Sequence, residues 1–162
     1  MYQDRFSGGK YTRTYPKTEI IQKREQTMTK DEIRKMNTTT LAYLGDAVFE
    51  VIVREKIVTE KPGDVGRAHH TAVRYVSASG QAKAAKAMIA EGFLTDEEER
   101  IYKQARNHRS MSRPQNADPR EYKIATGFEA LLGYLYLADD RERLREIAAE
   151  AVRIVDRAKS KK

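Results

Sequence analysis

Two acids stand almost alone in long apolar runs of this chain. Thr38 to Arg54 reads T-T-T-L-A-Y-L-G-D-A-V-F-E-V-I-V-R, and between Thr40 and Val53 its only charges are Asp46 and Glu50. Tyr122 to Ala138 reads Y-K-I-A-T-G-F-E-A-L-L-G-Y-L-Y-L-A, with Glu129 as its only acid. A carboxylate among buried neighbours requires a partner, a bound cation or a raised pKa. Two helices that each bring one isolated carboxylate can converge on a single divalent cation, because a hard cation such as Mg²⁺ takes oxygen ligands and keeps several waters. Asp46 and Glu129 are the candidate metal ligands on that reading. The plainer reading makes Asp46 and Glu50 the narrow solvent-facing edge of a core helix, with Glu50 paired to Arg54 at i+4.

A second group of residues could grip phosphates. Arg106 to Arg120, R-N-H-R-S-M-S-R-P-Q-N-A-D-P-R, holds four arginines, two prolines and one acid, which reads as a loop. Its composition suits a solvated connection as well as a phosphate grip, since phosphate contacts use the same Arg, Asn and Ser. His69, His70 and His108 lie on charged or polar segments without zinc-ligand spacing, so they suggest no metal site. Gly8-Gly9-Lys10 lacks the upstream glycine, strand and helix of a phosphate-binding loop.

The elements that must position these residues are helices throughout. On a helix, Leu41, Leu44, Val48, Val51 and Ile52 form one apolar face, and Tyr43, Ala47, Phe49 and Val53 extend it almost around the cylinder. Thr29 with Glu32 forms a capping box for a short preceding turn, Asn37 or Thr38 caps the long helix, and Lys61-Pro62-Gly63 ends it. A helical run over Asp64 to about Val76 would turn Val65, Ala68, Ala72, Val73 and Val76 inward. Ser77 to Ala90 follows, then a helix opened by Thr95 and Glu98 that runs to about Asn107. Asp139 to Arg157 closes the chain, with Leu144, Ile147, Ala148, Ala151, Ile154 and Val155 on one face. Strand signals are absent, so the fold class is all-α, a single domain of six to seven helices over residues 29–158. Residues 1–28 are polar and basic without periodicity and read as a mobile tail, and residues 159–162 as a frayed end. The chain has no cysteine and no apolar run of membrane length, which predicts a reduced, cytoplasmic setting without a membrane partner. A net charge of +7 suits a polyanionic partner such as nucleic acid.

L-A-Y-L-G-D-A-V-F-E-V resembles the signature helix of the ribonuclease III family, and F-E-A-L-L-G-Y-L-Y-L resembles that family's second acidic helix, in the same order along the chain. Leu44-Gly45-Asp46-Ala47 and Glu129-Ala130-Leu131-Leu132-Gly133 carry most of the specificity. Within the family the resemblance is to the short Mini-III form, which has no separate double-stranded-RNA-binding domain, and it runs from about Thr38 to about Val152. It implies an endoribonuclease that hydrolyses duplex RNA with Mg²⁺ held by Asp46 and Glu129 as metal ligands and catalytic residues. Further implied are an RNA grip at Arg106 and Asn107, with Arg109 and Arg113 following by position, and a homodimer in which Tyr43 inserts into the partner. The implied task is maturing the ends of precursor 23S ribosomal RNA, with ribosomal proteins as possible partners. The tail is then an extension, or translation starts at Met28. The chain departs from the full-length pattern at Ala42, where a glutamate stands, and at Thr126, where an aspartate stands. Mini-III shows the same kind of reduction, while the lost acids keep a catalytically inactive RNA-binding or ribosome-assembly protein as the alternative.

Overall fold

The computed structural model describes residues 28–60, 62–109 and 118–160. The expected tail, apart from Met28, lies outside them, as do Arg113 and the last two residues. Among the described residues there are seven helices and no strand: α1 (Lys30–Arg34), α2 (Thr38–Glu60), α3 (Val65–Val76), α4 (Ala78–Ala90), α5 (Asp96–Asn107), α6 (Pro119–Leu137) and α7 (Arg141–Ser160).

Local chemistry fixes where these helices begin. Thr29 and Glu32 form the reciprocal capping box of α1, and Thr95 and Glu98 form that of α5. Asn37 starts α2, its Oδ1 accepting from the Thr39 amide at 2.9 Å. Asp118 caps α6, accepting from the Arg120 amide at 2.8 Å, with Pro119 in the first turn. The helix expected from Tyr122 therefore begins three residues earlier, and Pro119 and Arg120 belong to it rather than to the loop. At the other junction the expected start at Asp139 is too early. Asp139 takes the left-handed conformation with φ 57°, and Asp140 accepts from the Arg143 amide at 3.2 Å, so α7 begins at Arg141.

Helix α6 is the axis of the fold. It is packed against α2, α4 and α5, and its Phe128, Ala130, Leu131, Leu132 and Leu135 are buried. Phe128 meets Phe49 of α2 edge-to-face, with ring centroids 5.3 Å apart. Helix α7 closes one side with Leu144, Ile147, Ala148, Ala151, Ile154 and Val155, all buried as the sequence periodicity predicts. Arg143 ties α7 to α5, donating to both carboxylate oxygens of buried Glu98 at 2.8 and 3.0 Å and to the Phe93 carbonyl at 2.8 Å.

Two helices turn a different face inward than their apolar spacing predicts. In α2 the buried positions are Leu41, Ala42, Gly45, Phe49 and Val53, while Leu44, Val48 and Ile52 are half-buried and Val51 is 65% exposed. Apolar residues surround this helix, so periodicity could not choose among its faces; the small residues Ala42 and Gly45 choose it by letting α6 come close. In α3, Ala72 and Tyr75 are buried, but Val65 is 82% and Val73 43% exposed. There the Tyr75 hydroxyl, which donates to Asp156 at 2.7 Å, anchors the face against α7.

Candidate active site

The crossing of α2 over α6 brings Asp46 and Glu129 together. A Cβ on Gly45 would overlap the Glu129 backbone carbonyl, and one on Gly133 would overlap the Leu41 carbonyl. Each glycine thus admits the other helix's backbone, and the two helices touch main chain to main chain at the point where the acids emerge. Asp46, on the residue after Gly45, is exposed at this crossing; Glu129, four residues before Gly133, is half-buried.

The Glu129 carboxyl feels both its burial and its acidic neighbour. Burial pushes the Glu129 carboxyl up to about 8, and the nearby Asp46 carboxylate pushes in the same direction, while a hydrogen bond with the Gln81 side chain works against both. Loss of water also raises the Asp46 carboxyl, with Arg54 opposing. A pair of acids held close enough to resist joint ionisation is a place where a cation is favoured. The two residues supply oxygen ligands only, which suits a hard divalent ion that retains much of its hydration. Among the described residues no cluster of three or more acidic, histidine or cysteine side chains forms, so water must complete such a coordination shell.

The positions of the two departures are filled in another way. Ala42 is a buried part of the helix contact, and the Thr126 hydroxyl donates to the Tyr122 carbonyl of its own helix at 2.9 Å. Glu50 forms an ion pair with Arg54, as its spacing predicts.

Arg106 and Asn107 are the last residues of α5, which ends at Asn107 as the sequence predicts, so they stand at the helix end rather than in the basic loop that follows; the Arg106 guanidinium stacks over the Tyr102 ring at 5.6 Å and Nε donates to Asn107 at 3.1 Å. Tyr102 lies against Gly127, two residues before Glu129, so the end of α5 is held beside the acidic helix. Arg109 is exposed just past this helix, and Arg113 falls outside the described residues. Tyr43 stands out from α2, 84% exposed. Gln81 was not singled out from the sequence. The sign that could have found it is its register with Ala84, Ala85 and Met88, which makes it the one amide on the buried face of α4.

This chain is similar to known proteins over most of its length. Residues 39–140 match the ribonuclease III domain. The chain is 42% identical over 116 residues to Mini-ribonuclease 3 of Enterococcus faecalis, covering 72% of this chain and 88% of the relative. It is 39% identical over 129 residues to Mini-ribonuclease 3 of a Thermoanaerobacter species, covering 80% and 89%. A crystal structure of a Fusobacterium nucleatum protein superposes with a TM-score of 0.65 at 28% identity, covering 79% of this chain and 98% of that one. The chain therefore belongs to the ribonuclease III family, in its Mini-ribonuclease 3 branch, and is an endoribonuclease of double-stranded RNA in a family that depends on divalent metal.

Proposed function

We propose that Asp46 and Glu129 are the catalytic pair and that they hold Mg²⁺. The observation that carries this reading is their convergence at the glycine crossing, with the Glu129 carboxyl pushed up to about 8 by burial and by its acidic neighbour. When bound, the ion lowers the pKa of a water and relieves the negative charge that develops on the phosphate. The chain's own part is positional. Both acids must be ionised to hold the ion, and the rigid contact between α2 and α6 sets the distance between them. Arg106, Asn107, Arg109 and Arg113 contact phosphates and hold the duplex, which suits recognition of RNA by backbone and shape.

The cutting unit is a two-fold homodimer. Half-buried Leu44, Val48 and Ile52 and exposed Val51 line, with Ala47, Tyr136 and Leu144, a groove of about 360 Å³ on the helix that also carries the protruding Tyr43. An open apolar face of this extent favours a partner, and a self-complementary two-fold contact lets one surface serve both subunits. Two sites in one dimer then cut both strands of a stem. The natural substrate is the long stem joining the ends of precursor 23S ribosomal RNA in the cytoplasm, where ribosomal proteins are the expected partners. No helix of the described residues is long and apolar enough to cross a membrane.

Incubating the protein with Mg²⁺ and either duplex RNA or duplex DNA of one sequence tests the substrate class. Cleavage of the RNA alone is expected. Tight binding without cleavage would favour the inactive RNA-binding alternative, and equal cutting of DNA would refute the substrate assignment.

A further inference from the structure

Arg106 stands half-buried at the end of α5, and two neighbours fix its guanidinium. Its Nε donates to the Asn107 Oδ1 at 3.1 Å, and its face lies over the Tyr102 ring, 5.6 Å from the centroid. Arg34 is locked to Glu97 and Arg143 to Glu98, whereas Arg106 has no carboxylate partner among the described residues. With Nε engaged, its two terminal nitrogens remain as a parallel fork, the geometry that takes a phosphate by two hydrogen bonds. The platform under that fork has no room to shift. Tyr102 is 2% exposed, and its ring fills the notch that Gly127 leaves on α6: a Cβ there would stand 2.7 and 2.8 Å from the ring carbons Cδ2 and Cε2. Gly127 lies two residues before Glu129, so the acidic helix itself carries the seat of the ring.

We propose that Tyr102 is a positioning residue for the RNA grip, its ring, seated in the notch at Gly127, holding the Arg106 guanidinium as a preset phosphate fork. This rests on the reading of Arg106 as a phosphate contact. An unsupported arginine must order its long side chain when a phosphate arrives, and that ordering opposes binding. On the Tyr102 ring the ordering is done when the protein folds. Stacking uses the face of the guanidinium and leaves its N–H edges free, so one side chain is held by the ring and still offers its fork. The spacing is i,i+4 on one helix, which brings the two side chains together without help from elsewhere. Because the ring is seated on α6, one rigid contact sets both the place of the gripped phosphate and the helix that carries Glu129.

Binding of a short RNA duplex, without divalent ion so that nothing is cut, is compared for the full-length parent, Tyr102→Phe, Tyr102→Leu, Arg106→Ala and the combined Tyr102→Leu, Arg106→Ala protein, with thermal melts in parallel. Tyr102→Leu is expected to weaken binding about 2–5-fold, the worth of one exposed cation–π contact, and Tyr102→Phe, which keeps the ring, to retain parental affinity. In the Arg106→Ala background Tyr102→Leu should cost nothing further, because the platform then has nothing to hold. A loss of equal size in both backgrounds would make Tyr102 merely structural and overturn the inference. Parental binding by a folded Tyr102→Leu protein would overturn it too, as would Tyr102→Phe binding no better than Tyr102→Leu. Where Tyr102→Leu does not fold, the free parent protein decides: the Arg106 Nε–H signal, assigned by its loss in Arg106→Lys, should be as ordered in NMR relaxation as the backbone of α5, and a freely moving side chain would overturn the inference. Failure of the grip itself is read separately, since Arg106→Ala would then bind RNA like the parent.

Discussion

Glu129 is the residue on which stability and chemistry pull in opposite directions. Its carboxyl, in the ordinary acid range when the chain is unfolded, is pushed up to about 8 in the fold. Between about pH 4.5 and pH 8 the folded chain holds a proton that the unfolded chain has released, so this group's contribution to stability falls as pH rises through that window. Glu129→Gln cannot ionise and removes the slope. In EDTA its Tm should gain steadily on the parent between about pH 5 and pH 8.5. An unchanging Tm difference across that range would show that Glu129 is not the strained group. The sequence reveals the two acids because each is isolated in an apolar run. It does not reveal Gln81, since one amide in an alanine-rich helix gives no sign that packing will bury it to 1% exposure.

The elements do their part through contact rather than composition. Gly45 and Gly133 are legible in the sequence only as letters of a motif; the structure gives them a physical task, admitting a facing backbone. Gly133→Ala should therefore destabilise the protein by about 3 kcal/mol or more, the upper end of overpacking costs, since backbone cannot move aside as a flexible side chain can. Urea unfolding measures this, and a loss under ~1 kcal/mol would mean that the crossing is looser than described. Arg143 is a second test at this scale. Removing it by Arg143→Ala leaves the Glu98 carboxylate, 5% exposed, buried without its partner, at a cost of about 3–5 kcal/mol. Capping signals located the starts of α1 and α5 in the sequence because they are local. The inward faces of α2 and α3 were not legible, because which apolar face is buried depends on the helix it meets. The end of α5 at Asn107 was legible, and the packing of Tyr102 on Gly127 is what holds that end beside α6.

At the scale of the whole molecule, the apolar face that periodicity found on α2 divides: Leu41 is buried, Leu44, Val48 and Ile52 are half-buried and Val51 is exposed. Leu44, Val48, Val51 and Ile52 line a groove on the helix that carries Tyr43, and the proposed dimer would cover it with a second copy of the chain. Because Tyr43 is 84% exposed on a single chain, Tyr43→Asp should leave the protomer folded and dissociate the dimer, visible as a halved mass in sedimentation. A parent protein that sediments as a monomer at working concentration would contradict the dimer. On the proposed reading the net charge of +7 supplies the long-range attraction for RNA and the end of α5 supplies the grip. Replacing Arg106 and Arg109 together by alanine should lower the salt dependence of duplex binding by about one counterion for each lost phosphate contact. An unchanged slope would move the grip elsewhere. On the proposed reading all of these features serve one event, the cutting of a duplex RNA at a metal held between two helices. The most direct measurement is single-turnover cleavage of duplex RNA at saturating Mg²⁺ by Glu129→Gln, with its fold and RNA affinity checked in parallel. The account predicts a well-folded protein that binds RNA like the parent and cleaves it at least ~100-fold more slowly, since the displaced ion takes with it stabilisation worth several kcal/mol. Near-parental cleavage by that folded variant would contradict it.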